Sequence, residues 1–85
     1  MRDRAGWSGY LMDVVVEGHV KGAFSGWGQG KEFVLDRGTH RKWRQVEDRY
    51  EFRYAFKPKA KVLRDGSRFY LEVEGMDDMV EVAKA

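Results

Sequence analysis

The stretch of this chain with the most chemical promise is Phe24–Gly38, FSGWGQGKEFVLDRG, in which Gly26, Gly28 and Gly30 precede Lys31. Glycines beside a lysine hold a phosphate when successive backbone N–H groups converge on the anion and a helix N-terminus follows. Neither G-x-x-x-x-G-K-[ST] nor G-x-G-x-x-G is present, and the EFVLD that follows has the character of a strand. The stretch is therefore read as a hairpin loop whose three glycines supply positive φ angles. His19 and His40 are the only histidines, far apart and without a carboxylate or thiolate at ligand spacing. Ser8, Ser25 and Ser67 are turn-like and lie in no nucleophile-elbow motif. The acidic group Glu72, Glu74, Asp77, Asp78 and Glu81 lacks the D-x-[DN]-x-[DN]-G order of a calcium loop. No catalytic, cofactor-binding or metal site is assigned, and the expectation is a protein that is not an enzyme.

A second stretch, HRKWRQVEDRYEFRY over residues 40–54, interleaves basic and aromatic side chains. Nucleic-acid-binding barrels use such a mixture, with Lys and Arg on phosphates and exposed rings as stacking platforms. Tyr50, Phe52, Tyr54 and Phe56 alternate with Arg49, Glu51, Arg53 and Ala55, so the four rings share one face of a strand. That face is expected to be the core. The rings left for a surface are then Trp27 and Trp43, near turns, and Tyr70, on the opposite parity from Phe69 and Leu71. With Arg41, Lys42, Arg44, Arg49 and Arg53 they form the candidate interaction surface.

Charge is unevenly spread behind the net +2. Arg37–Arg68 holds 11 Lys and Arg against 4 Asp and Glu, whereas Phe69–Ala85 holds 1 against 5. The two segments either build a one-sided field that attracts polyanions or lie together and cancel. Cancellation is the favoured reading. The leading expectation is a noncatalytic module that binds an unidentified protein. The alternative is weak, nonspecific nucleic-acid binding through residues 37–68.

The elements that must position these residues are short strands. VVVEGHVKGAF sets Val14, Val16, Val20 and Phe24 on one parity, with Gly18 and Gly22 as bend points. EFVLD pairs Phe33 with Leu35, FYLEVE aligns Phe69, Leu71 and Val73, and VEV adds Val80 and Val82. KAKVLRD runs into RDGS, where Asp65 and Gly66 suit a two-residue hairpin. Pro58 fits a strand edge or a break. DDMVEVAKA has the alternative of a short helix capped by Asp77. About six or seven strands with frequent turns define an all-β fold, a small antiparallel barrel or curled sheet of the SH3-like or OB-like type.

At 85 residues this is one domain, expected over residues 10–85 behind a loosely held tail at residues 1–9. A core this small depends on large side chains, and 3 Trp, 4 Tyr and 5 Phe supply them. The absence of cysteine excludes disulfides and thiolate metal sites. No apolar run approaches the roughly 18 residues of a membrane span, and MRDRAGWSGY has no signal-peptide core. The expectation is a soluble, cytoplasmic protein without membrane association.

The landmarks from Phe24 to Val82 follow an order: Phe24, Gly26 and Trp27; Phe33 and Leu35; Gly38; Trp43 and Gln45; Tyr50, Phe52, Tyr54, Phe56 and Pro58; Val73, Glu74 and Gly75. In this the chain resembles a small domain of bacterial proteins whose function is uncharacterised, with the pattern F-x-G-W, F-x-L, W-x-Q, Y-x-Y-x-Y-x-P and V-E-G. The spacing from Trp43 to Pro58 carries most of the resemblance. The segment between Gly38 and Trp43 is about two residues longer than the pattern, and Phe stands for Tyr at positions 52 and 56. The resemblance implies a β fold over about two thirds of the chain, and no activity or cofactor.

Overall fold

In the computed structural model, period-two alternation is realised as eight strands and, among the described residues, no helix. They are β1 (Asp13–His19), β2 (Ala23–Trp27), β3 (Glu32–Val34), β4 (Lys42–Gln45), β5 (Glu51–Phe56), β6 (Lys59–Asp65), β7 (Arg68–Val73) and β8 (Val80–Lys84). The structure describes residues 12–85, so the tail expected at residues 1–9 lies outside the described residues. The fold is all-β, with eight strands instead of six or seven. Two differences account for the count. The long strand expected over Val14–Phe24 breaks at Gly22, whose φ of 93° turns the chain, and KWRQ forms a strand of its own. Val80–Lys84 extends as a strand, so the helix considered there does not form.

The strands build two antiparallel sheets, one of six strands in the order β1-β6-β7-β8-β4-β3 and one of two, β2-β5. The larger sheet curls until its two ends meet at a single bridge, Val20 with Leu35. There the Lys21 N–H donates to the Val34 carbonyl at 2.8 Å and the Asp36 N–H to the His19 carbonyl at 2.9 Å. The seam stops after these contacts, so the sheet is curled without becoming a closed barrel. The β6–β7 hairpin forms at RDGS, displaced by one residue from expectation. Asp65 and Arg68 pair, leaving Gly66 and Ser67 as the loop.

Asp36 clamps the seam. Its Oδ1 accepts the His19 N–H at 2.9 Å and its Oδ2 lies 3.7 Å from His19 Nδ1. The His19 N–H, ahead of the nearby His19 and Arg37 charges, holds the Asp36 carboxyl below its ordinary pKa. A depressed carboxyl stabilises the fold above its unfolded pKa, about 3.9, and loses that contribution as pH falls through the lower folded value. Acid titrations followed by circular dichroism should therefore show wild type losing its stability advantage over Asp36→Asn below about pH 4. A difference between the two that stays constant from pH 7 to pH 2 would assign the effect to something other than this carboxylate.

The interior is formed by Val16, Val20, Phe24, Trp27, Phe33 and Leu35 together with Trp43, Ala60, Val62, Leu71, Val73, Val80 and Val82. The parity expected of Phe33 and Leu35, of Leu71 and Val73, and of Val80 and Val82 is the observed one. Val14 departs from it, because a register shift between Val14 and Val16 turns Val14 out to solvent.

Candidate interaction surface

β2 and β5 form a separate two-stranded pair whose Phe24 and Trp27 enter the core, and one buried amide ties the turn before β5 to the loop after β2. Gln45 is the buried polar residue of the core. Its Oε1 accepts the Gly28 N–H at 2.8 Å, and its Nε2 donates to the carbonyls of Glu47 and Arg49, both at 2.8 Å. It thereby ties the glycine loop after β2 to the turn that launches β5. Replacing Gln45 by Ala leaves three backbone groups without that partner, at roughly 1–3 kcal/mol for a buried unsatisfied group. Denaturant melts should show a loss of about 2–4 kcal/mol for Gln45→Ala. A neutral result would mean that solvent replaces the amide.

The glycine loop is a connection between sheets. β2 pairs with β5 and β3 with β4, so the hairpin expected between β2 and β3 does not exist. Gly26 and Gly30 adopt positive φ as expected, at 106° and 79°, but Gly28 does not. Lys31 is hydrogen-bonded through Nζ to Ser25 Oγ.

The face of β5 that looks outward is the reverse of the expected one. Tyr50 is 82% exposed, Phe52 70%, Tyr54 62% and Phe56 66%, so these rings are a surface row and not the core. The inward parity carries Glu51, Arg53 and Ala55, with Ala55 packed against the core. The cause is on β2. Phe24 pairs with Ala55 and Trp27 with Glu51 on the inward side, and both β2 rings are buried. The volume behind β5 is already filled by Phe24, Trp27 and Phe33, whose centroids lie 5.4–6.0 Å apart. On the outward side β2 offers only Ala23 and Gly26, opposite Phe56 and Phe52. The rings stand about 7 Å apart along the strand. Lys57 Nζ sits 5.3 Å from the Phe56 centroid, where its charge meets the face of the ring. Phe52→Ala should consequently change stability by no more than about 0.5 kcal/mol in denaturant melts, as for surface substitutions generally. A loss above about 2 kcal/mol would return this ring to the core.

The two tryptophans expected at the surface are buried instead. Trp27 makes edge contacts with Phe24 and Phe33, and Trp43 packs on Phe69 at 5.1 Å and on His40 at 5.2 Å. Neither can meet a partner. Tyr70 is half-buried on β7, between Leu63 of β6 and Glu81 of β8.

The basic residues do not converge on one patch. Lys42 and Arg44 project from β4 on the side opposite the buried Trp43 and Gln45. Arg44 meets Glu32 at 3.2 Å, and Arg41 Nε donates to the Gly38 carbonyl at 3.1 Å. Arg49 bridges Glu47 at 3.1 Å and Asp78 at 3.0 Å, and the hydrogen bond it donates to Asp78, then that to Glu47, raises its pKa further. Arg53 lies 3.6 Å from Glu51 and donates to the Gly75 carbonyl. The structure therefore brings Arg49 and Arg53 together at the Gly75–Asp78 turn. Lys61 meets Glu72 at 3.7 Å and Arg64 meets Asp13 at 3.9 Å. Two of these pairs, Arg49–Asp78 and Lys61–Glu72, join the basic middle segment to the acidic one.

A groove of about 630 Å³ lies at the opposite end of β6, with Glu17, His19, Arg37, Lys59, Lys61 and Glu72 among its lining. Its walls alternate in sign without converging on a point. Among the described residues no three His, Asp or Glu side chains gather as metal ligands. The class that fold and surface define is a small curled antiparallel β domain carrying an unpartnered aromatic row on a two-stranded sheet. No protein-family model matches the chain, and no curated protein or solved structure matches it significantly.

Proposed function

We propose that this chain is a noncatalytic binding module that docks a protein segment on the outward face of β5. The observation that carries the reading is the exposure of Tyr50, Phe52, Tyr54 and Phe56 in one row, at 62–82%. Four large rings in water are an unusual concentration for a domain this small, and such patches characterise interaction sites. Tyr and Phe give wide contact area at low entropic cost. Ala23, exposed opposite Phe56, leaves room at that end of the row for a side chain of an extended peptide.

Charge favours the protein reading over the nucleic-acid one. The spacing of the rings would suit base stacking, which favours the second reading. Phosphate binding needs several free cations beside them, however; Lys57 lies over Phe56 at one end of the row, but Arg49 and Arg53 are engaged by Asp78, Glu47, Glu51 and the Gly75 carbonyl.

The test compares wild type with a Phe52→Ser/Tyr54→Ser variant, first verified as folded by its melt. Peptides selected on wild type from a random library should lose at least about tenfold in affinity on the variant, a change of about 1.4 kcal/mol. A labelled single-stranded oligonucleotide should bind neither protein at about 0.15 M salt. Oligonucleotide binding that weakens with salt and requires the rings would replace the protein reading with the nucleic-acid one.

A further inference from the structure

We infer that the segment docking on the aromatic row is apolar with acidic residues at one end, and that Lys21, Lys57 and Lys59 hold those residues beside Phe56. This rests on the reading of the row as a protein-docking face, and adds the chemistry and polarity of the partner. Two corners of the chain bring the three lysines together. β1 turns into β2 at residues 20–22 while β5 turns into β6 at residues 57–58, and the corners are bonded to each other. The Val20 N–H donates to the Pro58 carbonyl at 2.9 Å and the Lys57 N–H to the Gly22 carbonyl at 2.8 Å. On either side Ala23 pairs with Phe56 and His19 with Lys59. All three lysines are exposed. Lys57 is, among the described residues, the one non-glycine with a positive φ, at 50°. Glycine or asparagine would relieve that strain, and strained positions of this kind gather at binding sites.

Charge sets the polarity. Among the described residues no carboxylate lies within bridging distance of these three ammonium groups, whereas Arg44, Arg49, Arg53, Lys61 and Arg64 are each paired in that way. The Lys57 Nζ rests 5.3 Å from the Phe56 centroid, and a ring is no counter-ion. Two carboxylates near the corner are held by backbone groups: Asp36 takes the His19 N–H at 2.9 Å, and Glu74 Oε1 takes the Lys59 N–H at 3.4 Å. At the Tyr50 end the carboxylates of Glu47 and Asp78 meet Arg49, and Lys31 is bonded to Ser25 Oγ. The row therefore runs from an end where charges are paired to an end where cations are not. A single-stranded nucleic acid carries a phosphate on every nucleotide and needs cations along the whole row. Cations confined to one end complement a partner whose apolar and acidic residues occupy separate stretches. The rings span about 20 Å, which about six extended residues cover, and the acidic residues stand next to these. They can stand at either terminus of the stretch, since a row of rings does not fix the direction of an extended chain.

Selecting one random peptide library on wild type and on two variants of the full chain, each verified as folded by circular dichroism, tests this. Wild type should enrich peptides with Asp or Glu beside an apolar stretch. Lys21→Glu/Lys57→Glu/Lys59→Glu should enrich a similar stretch beside Lys or Arg. Lys21→Gln/Lys57→Gly/Lys59→Gln should enrich neither charge, and its glycine accepts the positive φ, so it carries the comparison should the reversal not fold. A wild-type peptide whose Asp and Glu are changed to Asn and Gln should bind wild type at least about tenfold more weakly at about 0.05 M salt. That difference should shrink at about 0.5 M salt. The same change should leave the peptide's affinity for the uncharged variant as it was. Peptides that need Phe52 and Tyr54 but show no charge bias, or the same bias on all three proteins, would overturn the inference and leave the docking face standing. No enrichment on wild type, or peptides indifferent to Phe52→Ser/Tyr54→Ser, would overturn both. A single-stranded oligonucleotide whose binding needs both the rings and the three lysines would put a nucleic acid in the peptide's place and overturn it likewise.

Discussion

Gly26→Ala is expected to destabilise the domain by about 4 kcal/mol or more, enough to leave a small protein largely unfolded. A Cβ on Gly26 would lie 1.9 Å from the Glu51 carbonyl oxygen and 2.8 Å from the Arg53 nitrogen. Both are backbone atoms of β5, so no side chain can rotate away and the two strands must separate. The φ of 106° adds a conformational cost for any residue with a Cβ, of about 1–2 kcal/mol. Gly30→Ala isolates that second part, because its φ is 79° and nothing lies within 4 Å of the added carbon. Urea melts of the two variants should differ by about 2–3 kcal/mol, the share due to the backbone approach. Equal losses would show that β2 and β5 part without resistance, and the outward presentation of the rings would then lose its structural basis.

Trp43→Ala is expected to cost about 3–5 kcal/mol, the range for removing a buried large aromatic side chain. Trp43 is fully buried at the centre of β4, between Phe33 of β3 and Lys84 of β8 in register, with its ring on Phe69 and His40. Its loss leaves a cavity that sheets paired on both sides cannot collapse to fill. Trp43→Phe should lose less than half as much. It keeps most of the ring contacts and removes an indole N–H that finds no acceptor among the described residues. A mild Trp43→Ala phenotype, within about 1 kcal/mol of wild type, would put Trp43 back on the surface and restore it to the interaction site. Together with a near-neutral Phe52→Ala, the pair measures directly which aromatics are inside.

The contrast between Trp43 and Phe52 also marks what could be read along the chain. Alternation at Tyr50–Phe56 correctly places four rings on one side of a strand, because side chains in an extended chain point to opposite faces in turn. It carries no information on which side faces in. The assumption that aromatic means buried decided the matter wrongly, and with it displaced Trp27 and Trp43 to the surface. A domain of 85 residues has limited interior, and two tryptophans with Phe24, Phe33 and the aliphatic residues occupy it. One signal was available: Ala55 breaks the charged parity at Arg49–Ala55, and Gly26 on the neighbouring strand marks a close backbone approach.

The amino-acid sequence by itself determined that the chain is all-β, where most of its strands run, and that Phe33, Leu35, Leu71, Val73, Val80 and Val82 are core. These follow from local geometry, since period two, β-branched residues and turn glycines act over a few neighbouring positions. It also determined that a basic segment of net +7 and an acidic segment of net −4 were available to offset each other in part. The tertiary structure alone decided that β2 leaves the large sheet to pair with β5, that Gln45 reaches back to the glycine loop, and that Arg49 reaches Asp78. Those contacts span 17–29 positions, or join strands with two others between them, and no local period encodes them. The outward turn of the aromatic row is their consequence: once Phe24 and Trp27 take the interior from β2, the same alternation that groups Tyr50, Phe52, Tyr54 and Phe56 puts all four into water together.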